Sequence, residues 1–133
     1  MSTKYGVVVE KFAERHFISG FKKKYKSAWD VTWKGIEEEL RRIDALIGVG
    51  NMVEIIMDRG EIKICKTEFR VASTQQSRHG SGNRCIIAVH QLDACVRVLL
   101  VYHKNDLRGG THETAAWKNL VREHYAEYAE FCK

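Results

Sequence analysis

Two runs, Arg84-Cys85-Ile86-Ile87-Ala88-Val89-His90 and Val96-Arg97-Val98-Leu99-Leu100-Val101-Tyr102, decide the fold. Each is short, rich in Val, Ile and Leu, and bounded by turn formers or charges, the pattern of a half-buried or fully buried strand. The cationic loop from Ser73 to Asn83 precedes them. The stretch from Glu68 to Lys104 carries its basic groups at the strand ends: Arg70, Arg78 and Arg84 with His79, His103 and Lys104. A rigid sheet with a cation-bearing loop at its rim suits an anionic ligand, and the rest of the chain reads as the scaffold behind it.

Upstream, Val53 to Met57 and Glu61 to Cys65 flank Asp58-Arg59-Gly60, a triplet that closes hairpins. Beyond Cys65 the alternation changes parity: Ile62 and Ile64 share one, Phe69 and Val71 the other. One extra residue flips the faces of a strand, so a bulge or break is expected near Lys66 to Glu68. The loop from Ser73 to Asn83 holds no apolar anchor and is expected to be mobile.

At the start of the chain, Gly6-Val7-Val8-Val9 reads as a short strand. A helix is expected from Lys11 to about Lys26, where Phe12, His16, Phe17, Phe21 and Tyr25 recur three and four residues apart, although Gly20 weakens it. Ser27 looks like the N-cap of a second helix, with Asp30 reaching back to it. Trp29, Trp33, Ile36, Leu40, Ile43 and Ile47 hold one stripe along it, and Gly48 and Gly50 supply the stop. After the strands, Thr111 is expected to cap a final helix with Glu113 in its first turn and a stripe of Trp117, Leu120, Val121, His124, Tyr128 and Phe131. Short strand, two helices, antiparallel strands and a last helix make an α+β layout.

The chain has 133 residues, 44% of them hydrophobic, enough for one core, so a single domain over 1–133 is expected. A formal charge of +5 favours an acidic partner such as RNA, DNA or an acidic protein segment without choosing among them. Cys65, Cys85, Cys95 and Cys132 show no CxxC spacing, which points to packed free thiols in a reducing cytoplasm and to no metal site. No window has the length of a membrane span or a secretory signal, so no membrane partner is expected, and no cofactor.

Arg84 opens a strand whose next members look buried, so its guanidinium is expected at the sheet's rim. There it can serve either as a strand-end salt bridge or as a fixed planar cation against the charge of a pentacoordinate phosphorus. His103 ends the neighbouring strand, and antiparallel pairing is expected to bring it near Arg84. An imidazole can give or take a proton at an RNA 2′-oxygen or a leaving 5′-oxygen. Lys22, Lys23, Lys24 and Lys26 form either a solvated helix face or a footprint for a phosphate backbone.

The ordered set Phe69-Arg70-Val71-Ala72-Ser73, then the polar basic loop, then Gly82-Asn83-Arg84-Cys85-Ile86-Ile87, then Val98-Leu99-Leu100-Val101-Tyr102-His103-Lys104-Asn105-Asp106 resembles the RelE/ParE superfamily of type II toxins, and within it the HigB-like branch. The resemblance implies a RelE-like α+β fold, with an N-terminal strand and helical hairpin packed on a mainly antiparallel sheet, and a C-terminal helix. It implies a metal-independent ribonuclease that cuts mRNA at the ribosome through attack of the message's own 2′-hydroxyl. A cognate antitoxin would be the protein partner. By that resemblance Arg84 contacts the scissile phosphate, His103 and Lys104 stand where relatives place catalytic groups, and Arg70 matches a basic strand position. Arg78 and His79 would touch RNA.

Several positions depart from that pattern. Glu68 occupies a place basic in some relatives, and can be a general base, a restraint on Arg70 or an exposed strand residue. With few cations in the loop, ribosome affinity can fall to Lys22, Lys23, Lys24 and Lys26. Two further functions remain open: a ParE-like toxin that binds DNA gyrase without catalysis, and a domain that binds antitoxin or RNA but has lost activity.

Overall fold

The computed structural model describes residues 4–50, 52–107 and 112–132. Strands β1 (Gly6–Val9), β2 (Val53–Asp58), β3 (Ile62–Phe69), β4 (Asn83–His90) and β5 (Cys95–His103) form one sheet in the order β1-β5-β4-β3-β2. β1 runs parallel to β5, and the other neighbours are antiparallel.

Both faces of this sheet are covered, which is why β4 is buried along almost its whole length. On one face Cys65, Phe69, Cys85, Ile87 and Val101 pack against Ile18, Trp29, Ile36 and Leu40 of the N-terminal helices. On the other, Ile64, Ile86, Leu100 and Tyr102 pack against Trp117, Val121, Tyr125 and Tyr128 of the C-terminal segment. A strand buried on two sides reads as a continuous apolar run, because neither parity faces water. The change of parity in β3 has the same origin. Ile64 serves one core and Phe69 the other, so β3 pairs with β4 without interruption from Ile62 to Phe69 and needs no bulge at 66–68. Irregularities lie instead in β2, between Ile55 and Met57, and in β5 at Leu99, where Ile86 pairs with Leu100 and Ile87 with Val98.

The first helix is interrupted rather than continuous. α1 (Lys11–Ala13) passes into a π-helical turn, Glu14–Ile18, and then into α2 (Ser19–Tyr25). The Ser19 N–H reaches back five residues to Glu14 O, and its hydroxyl donates to Arg15 O at 2.8 Å. Single π turns inside helices are frequent at functional sites, since the extra residue re-aims the side chains it carries. Here those side chains include His16. α3 (Ser27–Arg41) follows, but Ser27 makes no capping bond; the reversal is made by Lys26 at φ 53°. The helix stops at Arg42, short of the expected Ile47, and α4 (Ile43–Leu46) completes the stripe before Gly48 and Gly50, both at positive φ. α5 (Glu113–His124) gives way to a 3-10 helix, Ala126–Cys132, so the C-terminal stripe bends at Tyr125. The expected cap at Thr111 lies outside the described residues.

Burial pushes the thiols of Cys65 and Cys85 up to about 12, and raises the phenols of Tyr125 and Tyr128 as well. These groups ionise in the unfolded chain near 8.5 to 10 but stay protonated when folded. Above about pH 9 the unfolded state therefore binds fewer protons than the folded one, and stability falls as pH rises. Urea midpoints should decline steadily between about pH 9 and 11, and iodoacetamide at pH 8 should label half-exposed Cys95 well before Cys65 or Cys85.

Candidate functional site

Across β3, β4 and β5, the register aligns Glu68 with Arg84 and Arg84 with Tyr102. These three side chains share the face covered by α5. His103 pairs with Asn83, one position further along, and strand side chains alternate. His103 therefore projects to the opposite face, the one covered by the N-terminal helices. The expectation that Arg84 and His103 converge on one phosphodiester is not met: the strand pairing sets them at adjacent register positions, and their side chains project to opposite faces of the sheet.

Arg84 does not stand at an open rim. Its side chain is 5% exposed, and Nη1 lies 3.0 Å from Glu68 Oε2 and donates to Asn83 O at 3.2 Å. Nε is buried without a hydrogen-bond partner, 3.8 Å from Glu113 Oε2 of α5. The same Glu113 oxygen accepts the Tyr102 hydroxyl at 2.6 Å. Burial, then this bond and the carboxylate's charge, raises the Tyr102 phenol far above its ordinary value, so it remains a donor. One guanidinium between two carboxylates is a closed arrangement that ties α5 to the sheet. A phosphate entering here would meet two like charges before one cation.

Glu68 also accounts for His79. The imidazole Nδ1 lies 2.8 Å from Glu68 Oε2 while the ring is 85% exposed, so Nε2 faces solvent. Glu68 thus restrains Arg84 and His79, not Arg70. The loop they flank is anchored, contrary to the expectation from its polar composition. The buried Ser81 hydroxyl bridges Phe69 O at 2.6 Å and Arg78 O at 2.7 Å and accepts the Asn83 N–H at 3.1 Å. Arg78 pairs with Glu39 of α3 at 2.6 Å. Arg70 and Arg78 line a separate hollow against α3, away from Arg84 and His103.

On the other face, His103 closes one end of a groove of about 630 Å³ beneath α2. That volume is in the range of small-ligand clefts, roughly 300–1,000 Å³. His103 Nδ1 accepts the Asn105 N–H at 3.1 Å, which assigns the proton of the neutral ring to Nε2. The ring lies directly over Gly82, which has φ +77°, and a β-carbon at that position would stand 2.7 Å from Nε2. Gly82 O in turn accepts the Lys104 N–H at 2.8 Å, fixing the strand end. Lys104 itself is exposed.

Lys24, Tyr25, Phe21 and His16 line the same groove, as does Asp106. Among the described residues His16 has no hydrogen-bond partner; it packs on Phe12 with 4.5 Å between ring centroids. Lys24 lies 5.2 Å from the Tyr25 ring, whereas Lys22 is paired with Glu14 at 2.7 Å. Lys23 is exposed on the same helix, and Lys26 is exposed in the reversal that follows it. The lysine run therefore reaches the His103 groove through Lys24 alone. Sequence reasoning missed His16 because its spacing fits the apolar stripe, and the π turn that re-aims it leaves no mark in that spacing.

A solved structure now bears on these elements. The archaeal RelE–RelB complex from Pyrococcus horikoshii OT3 contains a chain that superposes with a TM-score of 0.53, covering 78% of this chain and 99% of that one at 13% identity. This is the RelE fold. The expected α+β architecture, with its N-terminal helices, mainly antiparallel sheet and C-terminal helix, matches the RelE fold over the superposed part of the chain. No family model matches the sequence, and no curated protein does. The likeness therefore lies in the backbone, and at this identity the RelE fold leaves the site residues to be argued from their own geometry.

Proposed function

We propose that this chain is the toxin of a type II toxin–antitoxin pair, an endoribonuclease of the HigB-like kind that cuts mRNA on the ribosome in the cytoplasm. The observation that supports it most is the RelE fold carrying two imidazoles and an ammonium in one groove at the sheet's end. Cleavage within RNA needs no outside nucleophile. The 2′-oxygen attacks the adjacent phosphorus, the bond to the 5′-oxygen breaks, and a 2′,3′-cyclic phosphate and a 5′-hydroxyl result.

Roles follow from hydrogen bonding. His16, with both ring nitrogens unclaimed among the described residues, takes the proton from the 2′-hydroxyl. His103, whose Nε2 carries the proton, donates to the oxygen on which negative charge develops. Lys24 offsets the charge of the phosphorane, and exposed Lys23 and Lys26 extend the cationic face toward ribosomal RNA. Arg84 holds α5 on the sheet and does not touch the phosphate. The protein partner is an antitoxin, as the RelE of the solved complex is bound to RelB.

A second reading rests on the Glu68–His79 pair. A carboxylate-held imidazole with a solvent-facing Nε2 is an acid–base arrangement in its own right, and it would place catalysis on the face of Arg84, with Arg70 outside it in the hollow against α3.

The test is a purified translation system programmed with one message. Translating ribosomes plus this protein should yield transcripts with new 5′-hydroxyl ends, and the same RNA without ribosomes should stay nearly intact. Growth arrest on induction with translation unimpaired would overturn the proposal and favour a gyrase-type target.

A further inference from the structure

The groove at His103 does not end at His16. A second lobe of about 530 Å³ continues from it along the seam between α1 and α5, and the two share His16, Phe17 and Asp106 as a common wall. In its lining Phe12 and His124 lie ring on ring, 3.8 Å between centroids and 16° between planes, joining the π-turn region to the last turn of α5. Asp106, in the 3-10 turn Lys104–Asp106 that follows β5, has an exposed carboxylate with no hydrogen-bond or ion-pair partner among the described residues.

The two lobes differ in chemistry. Both are bordered by the carboxylate of Asp106; the first also contains Lys24, and the second has no lysine or arginine in its lining among the described residues. Glu123 Oε2, 3.9 Å from His124 Nε2, adds another negative charge nearby. The ammonium of Lys24 makes the first lobe the better place for a phosphate. A flat ring pair and a carboxylate acceptor lining one lobe suit an unstacked nucleobase, since proteins read single-stranded RNA by stacking bases on aromatic or imidazole planes and bonding their edges.

The geometry points to a nucleobase subsite in this second lobe, where the Phe12–His124 pair stacks a base flanking the scissile phosphate and Asp106 accepts from its exocyclic amine. This rests on the ribonuclease reading and names what the same groove selects. The carboxylate favours cytosine, adenine or guanine over uracil. Uracil presents carbonyl oxygens on both sides of its single N–H and would set them against Asp106. Stacking on Phe12 and His124 contributes to all bases alike.

The experiment uses 2′-O-methyl hexacytidine and hexauridine, which cannot be cleaved and differ in the exocyclic group. Each is titrated into the protein while the imidazole resonances of His16 and His124 are followed by NMR. Hexacytidine should bind about tenfold more tightly than hexauridine; Asp106→Asn, which can donate to the uracil oxygen, should bring the two within about twofold. His124→Ala should weaken both by a similar factor. Equal affinities in the unaltered protein, an unchanged ratio in Asp106→Asn, or no shift of either resonance at millimolar oligonucleotide would overturn the subsite. Transcript cleavage with no discrimination between oligonucleotides removes the subsite alone. Discrimination without cleavage removes the ribonuclease reading and leaves a base-binding groove.

Discussion

Arg84→Met is expected to lower folding stability by about 3 kcal/mol, near the lower end for removing one partner of a buried ionic group. The loss comes from what stays behind. Glu68 and Glu113, each with a side chain about one-fifth exposed, would face one another across an apolar patch without the guanidinium between them. They keep enough solvent contact to limit the penalty. Adding Glu113→Gln to Arg84→Met should recover part of the loss, the signature of coupled neighbours. If Arg84→Met instead keeps full stability but loses toxicity, Arg84 meets the substrate and the closed arrangement is not its role.

His103→Ala is expected to reduce ribosome-dependent cleavage by roughly 10²- to 10⁴-fold, the usual contribution of a positioned proton-transfer group, with the urea midpoint nearly unchanged. The ring is a partly buried strand-end residue whose hydrogen bond from the Asn105 N–H can be taken over by water. Gly82→Ala should approach the same loss by another route. Its methyl would press on Nε2 from 2.7 Å, at a φ of +77° that disfavours any side chain, so the imidazole must leave its position. This variant should also lose stability, by about 1 kcal/mol or more. Cleavage by ribosome-bound protein, read from end-labelled message, separates the two variants from Arg84→Met, whose deficit appears first in folding.

The sheet was legible because each strand carried its own apolar run and turn chemistry: Asp58-Arg59-Gly60 closes the β2–β3 hairpin, with the Gly60 N–H bonded to Asp58 Oδ1 at 2.8 Å. The order of helices and strands followed from the same local signals. What periodicity could not show was that helices cover both faces. Alternation then loses its meaning, and the parity change at Phe69 looked like a bulge when it marked a second core.

The site was harder for the same reason. Arg84 and His103 are both at strand ends, and only the pairing of His103 with Asn83 shows that they point apart. Glu113 reaches Arg84 from a helix 29 residues later in the chain (113 − 84), which no motif spacing records. The Ser73 to Asn83 loop looked unanchored because it lacks apolar residues, yet one buried hydroxyl, Ser81, ties it to β3.

Which face of the sheet engages RNA is the point on which the rest depends. Sequencing of 5′-hydroxyl transcript ends, in cells expressing His103→Ala beside cells expressing His79→Ala, tests it directly. The ends should vanish with His103→Ala and persist with His79→Ala, whose loss removes only a solvent-facing ring from Glu68. The reverse, ends lost with His79→Ala and retained with His103→Ala, would move the chemistry to the Glu68 face and contradict the assignment made here.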